Sequence, residues 1–403
     1  MNRPNRIALV VHDLAKSAGV GTVARFLHDV IGQSDWFEAD LISLAHGSDD
    51  RASVRLRNPA TWTRGVQVQT ETNDGVAYEH VGAVGAEIEY CRYQPRSVLT
   101  ERLRGYDLVQ IVAGTPAWAH VTRPLDIPVA LQVATLAREE RSWVLDGRWR
   151  PKALWRQAMV RLTDRLDHSA LRHVDAAFVE NQWMHDHLAA YMPPEDVIFA
   201  PPGVDTEQFM PGPPPSEGDH ILSVGRFEDP RKNVTLLFEA YAALRNQSES
   251  VPHLVLAGRT APTDAAWAQA EALGIRDAVT FGADVSMDEL ARLYRTAALY
   301  VVPSDEEGLG LTILEAMASG RPVVSTACGG PSTTVLDGET GRLVPVGDAE
   351  ALAGAMADVI GDPERADAMG RRGRERAEEH FSMEATGQRF LDTYAQLLDD
   401  SSS

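Results

Sequence analysis

The chain has 403 residues, of which 44% are hydrophobic and 24% charged, and it carries a formal charge of −20. That length exceeds one ordinary core and points to two or three domains. The charge excludes a general nucleic-acid binder. No run of about 18 uninterrupted apolar residues is present to span a membrane, and the two cysteines, Cys91 and Cys328, are too few for a disulfide framework or a zinc site.

From the N-terminus, the chain repeats one phrase: a short β-branched apolar run, a turn, then an amphipathic helical stretch. The apolar run Ile7–Val11 is too short for a signal-peptide core, so a cytoplasmic protein is expected. The expected strands of the first half are Arg6–His12, Asp107–Val112, Pro128–Val133, Ala176–Glu180 and Val197–Ala200. The stretch 45–100 shows no clear period and reads as irregular, with room for a hairpin insertion. Residues 201–219 hold six prolines and three glycines, and they read as a linker between domains. The second half continues with His220–Val224, His253–Ala257, Ala278–Phe281, Ala298–Val302 and Pro322–Ser325. Several runs are continuously apolar, as strands buried on both faces of a parallel sheet are. The predicted fold class is α/β, with two Rossmann-like, doubly wound parallel-sheet domains facing each other. The expected boundaries are 1–200, a linker 201–219, 220–380, and a helical tail 381–403 that crosses back to the first domain.

The strongest chemical signal is the run Glu307-Gly-Leu-Gly310-Leu-Thr-Ile-Leu-Glu315 after the strand Ala298–Val302. Gly308 and Gly310 let a ligand approach the backbone. The helix starting at Leu311 aims free N–H groups at the loop, which suits phosphate. Glu307 and Glu315 flank that helix start, roughly 8–12 Å apart at 1.5 Å per helical residue. Carboxylates accept paired sugar hydroxyls, so the two could grip both ends of a nucleotide sugar. The same run also suits an ordinary strand–loop–helix with two surface glutamates.

Arg226 and Lys232 follow the strand His220–Val224, at the end of a buried strand where ligands bind in open α/β sheets. They would neutralise a diphosphate, although a solvated basic turn has the same composition. Lys232 is one of only three lysines in an arginine-rich chain. Gly19 and Gly21 follow the first strand without completing a dinucleotide fingerprint. His185-Asp186-His187 sit at adjacent helical positions that do not face one way. There is no Asp-x-Asp pair, so no metal-bridged diphosphate is expected.

Between Gly147 and Arg165 lie Arg148, Arg150, Lys152, Arg156, Arg161 and Arg165 against one acid, Asp164, with Trp149 and Trp155 interleaved. This stretch suits an acceptor-side or membrane-facing basic helix, or a core-facing stripe whose arginines pair with surrounding acids.

The second half resembles retaining glycosyltransferases of family 4, which have the GT-B fold (glycosyl transferases group 1). The matching text is Ser223-Val-Gly-Arg226 with Lys232, Val302-Pro-Ser304, Glu307 to Glu315 with Ala316-Met-Ala-Ser-Gly320, Gly329-Gly-Pro331, and Pro202-Gly-Val-Asp205. The resemblance implies that Glu307 contacts the transferred sugar and Glu315 the donor ribose. It implies that Arg226 and Lys232 bind the diphosphate, that the amides of Gly308, Leu309 and Gly310 touch sugar and phosphate, and that Gly19 approaches the diphosphate. It further implies a UDP- or GDP-sugar donor, no metal or cofactor, an unidentified acceptor, and retention by front-face attack. Two departures stand out. Ala134 occupies the place of a family histidine, and Ser332 and Thr333 stand where a glutamate is common. The first leaves open a degenerate, non-catalytic sugar-nucleotide binder acting as an assembly partner.

Overall fold

The computed structural model describes residues 3–12, 14, 18–73, 75–141, 151–248 and 250–401. They form two compact units. One comprises the chain through Pro202 together with Gly387 onward, and the other spans Gly203–Thr386.

The first unit is built on β1 (Asn5–His12), β2 (Phe37–Leu44), β3 (Val68–Asn73), β4 (Val76–Val81), β5 (Leu108–Ala113), β6 (Val129–Val133), β7 (Ala176–Val179) and β8 (Val197–Phe199). Their order is β3-β4-β2-β1-β5-β6-β7-β8. Neighbours are parallel except in the β3–β4 hairpin. Ile7–Val11 of β1 and all of β5 are buried, so continuous apolar runs were the right signature for these strands. The sequence reading missed β2, whose Phe37-Glu-Ala-Asp half is largely polar and open; it left room for a hairpin within 45–100 without placing its strands, and β3–β4 is a hairpin there, its outer strand alternating at an exposed edge. The last helix, Met383–Ser401, brings Phe390 against Phe178 at 4.2 Å between ring centroids. Its Tyr394 hydroxyl donates to buried Gln110 Oε1 at 2.9 Å.

The second unit holds β9 (His220–Val224), β10 (His253–Gly258), β11 (Val279–Ala283), β12 (Ala297–Val302), β13 (Val323–Thr326) and β14 (Gly341–Val344). All are parallel, in the order β11-β10-β9-β12-β13-β14. The order reverses between β9 and β12, which opens the crevice where such sheets bind ligands. Residues 203–219 belong to this unit rather than lying between the two. The guanidinium of fully buried Arg321 donates to Ser319 O, Ala297 O and Pro213 O at 2.8–3.0 Å. Arg374 Nη1 adds bonds to Thr206 O, Phe209 O and Ala318 O. Prolines donate no N–H, so the two arginines, which reach the carbonyls of Thr206, Phe209 and Pro213 in this proline-dense segment, take the place of a backbone ladder.

Candidate functional site

The loop after β12 runs from Pro303 to Gly310 and feeds the helix Leu311–Ala318. Gly310 caps that helix at φ +81°, and a Cβ there would lie 2.9 Å from Ile313 Cδ1. Gly320 ends the helical stretch at φ +69°, so left-handed glycines stand at both ends. A second loop, after β13, presses against the first. Gly330 N donates to Glu307 O at 2.9 Å, and a Cβ on Gly330 would come within 2.6 Å of Gly308 O. The Gly329-Gly330 pair therefore backs the Glu307–Leu309 loop and sets its position.

Glu307 and Lys232 meet. Lys232 Nζ lies 2.5 Å from Glu307 Oε1, which also accepts from Ser304 Oγ at 2.8 Å. Ser304 O in turn accepts from Thr326 Oγ1. Lys232 ends the short turn Pro230–Lys232, and Asn233 follows in the left-handed region, capping the helix Val234–Gln247 through Leu236 N. Thus β9 contributes Lys232, β12 Ser304 and Glu307, and β13 Thr326 to a largely buried charged cluster at their carboxyl ends. Cys328 lies beside it; burial pushes its thiol up to about 11 against the bond from Thr326, with the charges of Glu307 and Lys232 both felt. Ser304 carried no functional expectation in the sequence, because its role depends on a fold-back that spacing does not report.

Arg226 does not join this cluster. Its side chain is exposed and, among the described residues, pairs with Asp229 alone, at 3.5 Å, so its charge faces outward. Gly308 is half-buried and Leu309 buried, and both lie in the pinned loop.

Glu315 sits on the helix that the loop feeds. Its Oε2 accepts from the Tyr294 hydroxyl at 2.7 Å. Burial pushes the Glu315 carboxyl from 4.5 up to about 7, and the Tyr294 bond opposes that rise. Tyr294 is fully buried, 5.3 Å from Tyr300 and 5.6 Å from Phe209 between ring centroids. The sequence reading missed it, since it occupies an ordinary apolar position of the helix Met287–Thr296.

Gly19 lies in the first unit on the helix Ala18–Gly32, where a Cβ would meet nothing within 4 Å among the described residues. Gly21 is tighter, with a Cβ 3.1 Å from Leu14 O. Ala134 follows β6, and Thr135 N donates to Gly114 O at 3.0 Å. The imidazole near this edge comes from β1: the His12 ring stacks on Trp118 at 5.1 Å, 5.6 Å from His46. Burial, reinforced by His46, lowers His12 to about 3, so it is neutral. Arg148 and Arg150 lie outside the described residues, as does the side chain of Lys152. Arg156 is exposed on the helix Pro151–Ala170. On that helix Val160, Arg161 and Asp164, with Arg138, line a cleft of about 300 Å³.

No grouping of His, Cys, Asp or Glu among the described residues could hold a metal ion. A carboxylate and an ammonium beside a helix N-terminus at a sheet switch point form a site for a polar, anionic ligand.

Residues 204–376 match the model of the family described as glycosyl transferases group 1. A D-inositol 3-phosphate glycosyltransferase of Kineococcus radiotolerans is 31% identical over 373 residues, 82% of this chain and 83% of the relative. An MMP alpha-(1->4)-mannosyltransferase of Mycolicibacterium hassiacum is 30% identical over 73% of this chain and 69% of its own length. In structure, sucrose-phosphate synthase of Thermosynechococcus elongatus is similar with a TM-score of 0.72 at 22% identity, covering 98% of this chain and 100% of its own. HepE of Anabaena in complex with UDP and glucose is similar with a TM-score of 0.69 at 16% identity, covering 97% and 100%.

Proposed function

Because the chain belongs to the glycosyl transferases group 1 and is a glycosyltransferase of the GT-B fold, we propose that it transfers a sugar from a UDP- or GDP-sugar to an acceptor hydroxyl with retention and without a metal. The observation that carries this reading is the Lys232–Glu307–Ser304 cluster beside the Leu311–Ala318 helix start. Lys232 and outward-facing Arg226 receive the donor diphosphate, with the amides of Gly308, Leu309 and Gly310 completing the cradle. Glu307 faces the transferred sugar, and Glu315 accepts from the ribose hydroxyls. As the bond from the anomeric carbon to the leaving phosphate oxygen breaks, the acceptor oxygen bonds that carbon on the same face. The acceptor's proton passes to the departing phosphate, whose growing charge the two cations stabilise. No nucleic acid takes part, and the protein works in the cytoplasm.

Titration of UDP and GDP against the protein tests the donor and metal readings together. One of the two nucleotides should bind equally well with EDTA or with added magnesium. A requirement for a divalent cation would overturn the metal-independent reading.

The Glu315 pair makes nucleotide binding pH-dependent. A ribose hydroxyl donates well only to the ionised carboxylate, so affinity should rise with pH through about 7. Without ligand the sign is opposite. The folded carboxyl holds its proton more tightly than the unfolded one at 4.5, so stability is lost as pH rises from there through about 7. Tyr294→Phe removes a bond to the ionised form and should move the midpoint of nucleotide binding upward. An unchanged midpoint, measured by calorimetry from pH 5.5 to 8.5, would count against Tyr294 as the residue that positions Glu315.

A further inference from the structure

The first unit carries an amphiphilic face that includes none of the donor-side residues named above. Residues 51–70 contain Arg51, Arg55, Arg57 and Arg64 and no acid, in a chain of net charge −20. In the same loop Leu56 is 45% exposed and Trp62 57%; the loop after β4 adds exposed Val84, at 54%, with Ile88 and Tyr90. Large apolar side chains grouped in this way mark an interaction surface, whereas scattered ones need no explanation.

The two loops form one rigid surface. Val54 N donates to Ala83 O and Gly85 N to Val54 O, both at 2.8 Å, while Gln67 N bonds Ala52 O and Gly82 N bonds Gln67 O. Ala83 N is held by Ser53 Oγ at 2.8 Å. A Cβ on Gly85 would lie 3.3 Å from Leu56 Cδ1, so the leucine lies across the second loop. The Trp62 indole N–H donates to Arg55 O at 2.9 Å, which fixes the ring outside the core. Of the acids nearby, Asp50 bonds His80, Glu89 bonds Arg141, and Glu87 accepts from Arg57 N while feeling the Arg57 charge, whereas Asp49 is exposed at the start of the first loop. No ion pair ties Arg51, Arg55, Arg57 or Arg64 to a carboxylate among the described residues.

We propose that this face docks on an anionic lipid bilayer. Tryptophan, leucine and isoleucine enter the headgroup boundary while arginines keep their guanidinium groups at the phosphates. Charge complementarity selects the occupant: arginines without a carboxylate partner among the described residues, one of them (Arg64) bonded to Arg51 O, lie among apolar side chains and match an anionic membrane, and an unfavourable net charge makes the attraction local and salt-sensitive. Both loops leave the carboxyl ends of parallel strands, β2 and β4, the edge at which such sheets bind ligands. The proposal does not depend on the donor chemistry, and its test reads binding without turnover.

The test is co-sedimentation of the full chain with vesicles of phosphatidylcholine alone or mixed with phosphatidylglycerol. The protein should pellet with the mixed vesicles at low salt, remain in solution with phosphatidylcholine alone, and be released as salt rises. Arg57→Gln with Arg64→Gln should lower partitioning roughly tenfold or more, on the scale of lost arginine–lipid contacts. Leu56→Ser with Trp62→Ser should lower it separately, and a melting temperature for each variant shows that it folds. Three results would overturn the proposal: no pelleting at low salt, pelleting unaffected by both pairs of changes, or loss of binding on Trp155→Ser with Arg156→Gln in place of these loops.

Discussion

Glu307→Gln should cut turnover by roughly one to two orders of magnitude, the scale of one charge-assisted hydrogen bond made in the transition state. It should not weaken binding of the bare nucleoside diphosphate. Glu307 Oε1 holds Lys232 Nζ at 2.5 Å, so neutralising the carboxylate leaves the ammonium to the phosphates. Affinity for the diphosphate should then stay constant or rise. Lys232→Ala should do the reverse for binding, weakening it by about 1.5–3 kcal/mol, and should lower turnover as well. Glu315→Gln should weaken nucleotide binding most at pH 8, above the raised carboxyl, and least at pH 6. Calorimetric titrations of the three variants, beside initial rates, check the assignment. Loss of diphosphate affinity in Glu307→Gln equal to that in Glu315→Gln would contradict it.

Arg321→Leu should be among the most damaging changes in the second unit, costing about 3–5 kcal/mol of stability. The side chain is 1% exposed and gives its hydrogen bonds to three carbonyls, with no carboxylate among its bonded partners. Desolvation lowers its pKa to about 10, and Asp367 partly offsets the loss, so the group is charged at every physiological pH. Leucine would leave the carbonyls of Ser319, Ala297 and Pro213 without their donors and release residues 203–219. Denaturant unfolding measures the loss. A change below about 1 kcal/mol would show that the segment is held by its other contacts, the Arg374 bonds to Thr206 O and Phe209 O among them.

The two-sheet α/β plan was legible because it depends on local pattern. Continuous apolar runs such as Ile7–Val11 and Ala298–Val302 have few other ways to bury both faces, and the glycines at 308, 310 and 320 mark a turn and a helix end that few other residues tolerate. Glu307, Lys232, Arg226 and Glu315 were singled out because the segments that follow strand ends carry chemistry in such sheets, and of these the structure brings Glu307 and Lys232 together. Less local features were not. Strand β2 gains its stability from its neighbours, and much of its first half is polar; the β3–β4 hairpin was expected only as room for an insertion within 45–100, its strands unplaced because the outer one alternates weakly at an exposed edge. The proline-dense segment has the composition of a linker, yet arginines about 110 to 170 residues further along bind its carbonyls.

The sequence by itself determined the alternation of strands and helices and the charges available at the strand ends, because both follow from residue type and short spacing. Only the tertiary structure decided how those charges are used. It paired Lys232 with Glu307 across 75 residues, turned Arg226 outward, and buried Glu315 so that its titration moves up to about 7 against the opposing bond from the Tyr294 phenol. Such pairings depend on which strands become neighbours and on how far water is excluded between them, and neither quantity is carried by a local pattern.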